Sequence, residues 1–158
     1  MSGISSHYDT MVFIKDTIDA LALDGLTGGT VIQEFPTYQD LKGNPLNLPF
    51  ISIAPWGKEY VNNENGLTNR DGVDYPTIVI IFGAMVTGDA ERLDALEKRL
   101  SWRQSIRRNL NNRSIPSLPL NFNLECKPGN IIELSLALDR KAFASSLMII
   151  GKFQEPRS

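Results

Sequence analysis

The sequence predicts an α+β fold, a single domain with a mixed β-sheet of four to five strands. The sheet packs against an N-terminal helix and a kinked central helix, and a long loop or hairpin arm leaves it. Three observations lead there. Ile78, Val79, Ile80, Ile81 and Phe82 form an unbroken apolar run, the pattern of a central strand buried on both faces with helices on at least one of them. Met11, Ile14, Ile18, Leu21 and Ala22 recur at three- and four-residue spacing, which gives a helix one apolar face. Asp89 to Asn112 is a long charged stretch that carries apolar residues at helical spacing. A helix, three strands, helices and closing strands make an α+β or mixed-sheet domain.

Each element follows from its residues. Asp9 or Thr10 caps the first helix, which runs to about Leu23, where Gly25, Gly28 and Gly29 end it in a turn. Residues 1–8 are a flexible tail. Thr30 to Phe35 is the first strand, cut off by Pro36. Phe50 to Pro55 is the second, continuing through Trp56 towards Tyr60, and Thr77 to Gly83 is the third. Between the last two lies a polar connection that includes Asn62, Asn65, Arg70 and Asp71. It is longer than a hairpin needs; it is an arm reaching a neighbour or a surface loop. A fourth strand spans Phe122 to Cys126, a short one Ile131 to Leu138, and Ser146 to Phe153 closes the chain after a turn at Asp139 to Phe143.

The charged stretch changes sign along its length. Asp89, Glu91, Asp94 and Glu97 open it, and Lys98, Arg99, Arg103, Arg107 and Arg108 follow. Leu93, Leu96 and Leu100 share one helical face; Trp102, Ile106 and Leu110 share another, rotated well away. Ser101 followed by Gln104 has a capping-box pattern. A kink at Ser101 is therefore expected, with Asp89 capping the first piece and both apolar faces turned to the core. The acids at the start and the arginines at the end also suit the helix dipole without any ligand.

A chain of 158 residues holds one domain with a real core. Its net charge is only −2, yet residues 1–97 carry 14 acidic and 5 basic side chains and residues 98–158 carry 4 and 11. Such a dipolar chain suits contact with copies of itself or a charged neighbour, unless the fold interleaves the two halves. Cys126 is the only cysteine and His7 the only histidine. That excludes an intrachain disulfide and a four-cysteine zinc site. The start of the chain lacks a basic segment followed by an apolar one, and no run is long enough to span a bilayer, so a reducing cytosol is the expected place of synthesis.

Catalytic patterns are sparse. Asp71 and Asp74 lie in or beside a polar loop with no nucleophile at a telling spacing. Asp89, Glu91 and Asp94 lack the compact loop of hard-cation sites. Cys126 and His7 pair only if the N-terminal tail folds back, and the glycines after the first helix do not match a phosphate loop. The expectation is a non-enzyme with no cofactor, no metal and no membrane contact. Its subunit interface draws on Arg99, Arg103, Arg107, Arg108, Asn65, Arg70 and Asp71. Binding of nucleic-acid phosphates by the arginines is the competing use.

Four stretches carry a resemblance: Pro49-Phe50-Ile51-Ser52-Ile53, Tyr75-Pro76-Thr77-Ile78-Val79-Ile80, Ser101-Trp102-Arg103-Gln104-Ser105-Ile106-Arg107-Arg108, and Phe153-Gln154-Glu155-Pro156-Arg157. With the order of elements, they resemble the tail terminator and neck (head–tail connector) proteins of long-tailed bacteriophages over much of residues 10–157. The resemblance implies a virion protein made in the host cytoplasm. It would form a homo-oligomeric ring, a hexamer, at the head–tail junction. That ring would cap the tail tube, contact tail-tube and neck or connector proteins, and pass DNA through a lumen partly lined by the acidic first half. A head-completion adaptor or stopper ring stays open as the alternative, as does a small phosphate-backbone-binding protein.

Overall fold

The first helix begins a turn earlier than the sequence predicts. In the computed structural model Ser5 is the N-cap, its Oγ accepting the Tyr8 N–H at 3.1 Å, a cap worth about 1 kcal/mol. Helix α1 is Ser6–Ala20. Ser6, His7 and Tyr8 thus belong to the helix and not to a tail, and Asp9 is buried in its first turn. The structure describes residues 5–37, 39, 42, 44–62, 70–84, 88–116, 118, 121–127, 129, 131 and 142–156.

The chain is an α+β domain with a mixed sheet, as predicted. Six strands and two helices lie among the described residues. β1 (Thr30–Ile32) runs parallel to β2 (Phe50–Pro55), which makes the sheet mixed; every other pairing is antiparallel. β4 (Arg70–Ala84) pairs along its whole length with β6 (Ala142–Pro156), and β5 (Asn121–Lys127) closes the far side. The path is β1-β2-β4-β6-β5, with β3 (Tyr60–Asn62) on β4. Since β6 occupies one edge of β4, β2 and β3 must share the other. Gly57, at φ +79°, makes the break between them, a conformation that favours glycine.

β3 is the strand beyond the expected four to five, and it pairs Asn62 with Gly72 at the base of a β3–β4 hairpin. The tip of the polar connection, with Asn65, lies outside the described residues. So does most of the expected strand Ile131 to Leu138, whereas Ala142 and Phe143, expected in a turn, begin β6.

Alternation along the strands builds two cores. Ile51, Ile53, Val79, Ile81, Leu147 and Ile149 face the helices, where Met11, Ile14 and Ile18 of α1 meet Trp102, Ile106 and Leu110. On the opposite face Phe50, Ala54, Ile78, Ile80, Phe82 and Ala144 pack under Leu46 and Leu48. The apolar run of β4 is thus buried on both sides, as its sequence predicts.

α2 is one continuous helix, Asp89–Leu110, whose N-cap is Gly88 and not Asp89. The predicted break at Ser101 is absent. Only the tryptophan face is core: Trp102 is 6% exposed and Ile106 and Leu110 are fully buried, while Leu93, Leu96 and Leu100 are 68%, 36% and 41% exposed. One straight helix cannot bury two faces set far apart, and the protein leaves the leucine face out instead of bending the helix. Past α2, Asn112 N–H donates to Leu124 O, Leu124 N–H to Arg113 O, and Cys126 N–H to Asn111 Oδ1. Residues 111–113 thereby cover the outer edge of β5.

Candidate assembly surface

Rotation around α2 decides what each arginine does. Arg103 shares the inward side with Trp102 and Ile106. Its Nη1 donates to Ser145 Oγ at 3.0 Å and to Ser146 O, and its Nη2 to Gly129 O at 3.1 Å. It is a strut between α2 and the start of β6. Burial, with the like charge of Arg107 adding, holds its guanidinium below the usual arginine range. Arg99, one turn earlier, lies against β4: a Cβ on Gly83 would stand 2.9 Å from its Nη2, so the glycine leaves the room that the guanidinium fills. Burial lowers its pKa too. Both had been expected on a subunit interface; the fold uses Arg103 internally and half-buries Arg99.

Arg107 and Arg108 are exposed and make no ion pair among the described residues. Arg107 borders a cleft of about 590 Å³ between α2 and β5–β6, whose lining includes Leu100, Gln104, Asn111, Cys126 and Ile131 and, among the described residues, no carboxylate. Asp94 and Glu97, near the other end of α2, are likewise exposed and unpaired within the described residues. The helix therefore carries exposed carboxylates and exposed arginines that no described residue pairs, with the leucine face beside the arginines.

A second exposed region lies where β2 passes into β3. Trp56 is 49%, Tyr60 60% and Val61 54% exposed. Asp71, half-buried, has Glu155 as its neighbour across the strands, and Arg70 stands opposite Pro156. These two predicted site residues sit in the β4–β6 ladder at the base of the hairpin, away from the arginines of α2. On the sheet face away from the helices, Lys152 bridges Asp74 at 3.5 Å and Glu125 at 3.2 Å, and Lys127 adds a contact of 2.7 Å to Glu125. Lys127 and Lys152 hold the Glu125 carboxyl below its usual range.

The structure separates the groups that chemistry would have to pair. Asp71 and Asp74 are an odd and an even position of one strand, so they point to opposite faces. His7 Nε2 meets Pro76 O at 3.0 Å and Thr77 Oγ1 at 3.2 Å, and its ring stacks on Tyr75. A carbonyl only accepts, so the proton of the neutral ring sits on Nε2. Cys126 Sγ donates to Arg107 O at 3.9 Å, and burial pushes its thiol up to about 11, which leaves very little thiolate near pH 7. No three His, Cys, Asp or Glu side chains among the described residues converge for a metal ion, and no described helix is long and apolar enough to cross a membrane.

The exposed leucines, and the exposed Trp56 and Tyr60 around the start of β3, are what sequence reasoning missed. The leucine signal was the angle between the two apolar faces of α2, which fits a kink or a free face equally. No protein-family model matches this chain, and no curated protein sequence matches it.

Proposed function

We propose that the chain is a structural virion subunit that assembles into a hexameric ring at the head–tail junction of a long-tailed bacteriophage. The ring is a tail terminator: it caps the tail tube, joins it to the neck, and leaves a lumen for DNA. Support comes from the sequence resemblance together with the mixed α+β sheet. The observation that carries the reading is α2, where Asp94 and Glu97 towards one end and Arg107 and Arg108 towards the other are exposed and without ion pairs among the described residues, with exposed leucines beside them. Opposite-sign patches with apolar anchors suit protein contacts that orient a partner.

Native mass measurement and particle images at moderate salt test the reading. A six-fold ring with a lumen wide enough for duplex DNA is expected. A twelve-fold ring would move the assignment to a head-completion adaptor, and a monomer at all concentrations would overturn it. Phosphate binding by Arg107 and Arg108 is the second reading, favoured by their exposure without ion pairs. It requires duplex binding that weakens steeply with salt.

A further inference from the structure

The leucine face of α2 and the cleft beside Arg107 both leave apolar side chains open to solvent. Leu93 and Leu96 stand 68% and 36% exposed, with the exposed Glu97 one turn on from Leu93. The cleft offers apolar surface from Leu100, Ile131 and Leu147 beneath the cation of Arg107, with no acid among its described residues. Within one helix Glu97 and Arg107 are ten residues apart, about 15 Å along the axis, too far to neutralise each other. Two apolar anchors flanked by acid thus face solvent on the same protomer as an apolar recess flanked by base.

We propose that these are the two halves of one contact between successive copies of the chain. The N-terminal half of α2 from one copy seats in the cleft of the next, with Leu93 and Leu96 inside and Glu97 opposite Arg107. The patches differ, so the contact is heterologous and each copy can give and receive once. Such contacts generate a ring where the rotation closes. The inference rests on the ring reading and supplies its contact.

Two blocked variants test it, with sedimentation velocity as the readout. Leu93→Glu with Leu96→Glu spoils the helix face and leaves the cleft; Ile131→Glu with Arg107→Glu spoils the cleft and leaves the face. All four positions are exposed, so both variants should fold, and wild-type circular dichroism checks this. Each alone should be monomeric, and a 1:1 mixture should give heterodimers and nothing larger. A charge exchange needs no apolar change. Glu97→Arg or Arg107→Glu alone should weaken assembly tenfold or more, and both in one chain should restore it.

If wild type forms six-fold rings and the blocked variants form them too, the contact is overturned while the ring reading stands. Wild type giving filaments or rings of another order, with the variants behaving as expected, supports the contact and overturns the six-fold reading. A charge exchange that fails to restore assembly overturns the contact.

Discussion

Arg103 and Arg108 are the same residue type on the same helix, and the structure gives them unrelated work. Removing Arg103 takes its hydrogen bonds from Ser145 Oγ, Ser146 O and Gly129 O, and losing a hydrogen bond from a charged group costs about 1.5–3 kcal/mol. Arg103→Met should lower the urea midpoint accordingly, while Arg108→Ala should stay within about 0.5 kcal/mol of wild type. His7 adds a pH signature. Burial holds its imidazole below the ordinary 6.5, outweighing the bond to Pro76 and the field of Glu59. The folded chain therefore favours neutral His7, and the unfolded chain takes up the proton first as pH falls. The contribution is whole above 6.5 and lost as pH drops through that value towards the lowered one. Stability measured from pH 7.5 to 5.5 should fall more steeply for wild type than for His7→Gln. Neither role was legible in the sequence. Arg103 looked like a surface cation because its acceptors lie 26 to 43 residues away, and His7 because a polar stretch precedes the helix's apolar face.

Within α2, one helix divides into a buried half and an exposed half. Ile106 is fully buried, and Ile106→Ala should cost about 2–5 kcal/mol. Leu93→Ala, at an exposed site, should change protomer stability by less than about 0.5 kcal/mol. Hydrogen exchange should show the same division, with amides near 93–98 exchanging sooner than those near 102–110. Periodicity placed the helix and its tryptophan core face correctly. It could not say whether the leucine face finds a core, because periodicity records that a face is apolar and not what covers it. The buried run of β4 was legible for the complementary reason: a strand apolar on both faces has to be covered on both.

At the scale of the whole molecule, the charge asymmetry seen in sequence is bridged on the sheet by Asp74 and Lys152 and stays exposed along α2. On the sheet, Asp74 of the acidic part meets Lys152 of the basic part, and Lys127 and Lys152 hold Glu125. On α2, Asp94, Glu97, Arg107 and Arg108 are exposed and form no ion pair among the described residues. Assembly through exposed charges should weaken as salt screens them without vanishing, because the leucines are indifferent to ionic strength. Sedimentation at 0.05 to 1 M sodium chloride (about 14 to 3 Å of screening length) should show assembly shifting to higher protein concentration and persisting. The α+β architecture was legible from the order of elements, whereas β3 was not, because its partner lies across a polar stretch that resembles a loop until the pairing is seen.

The β4–β6 pair also gives the protomer a direction of mechanical strength. Its two strands stay in register from Arg70–Pro156 to Ala84–Ala142, and the bonds between antiparallel strands lie perpendicular to the chain. A pull along the strands loads the whole ladder together, whereas a pull that peels one end apart breaks its rungs one after another. A protomer tugged by its neighbours along β4 should therefore yield at far higher force than one tugged across it.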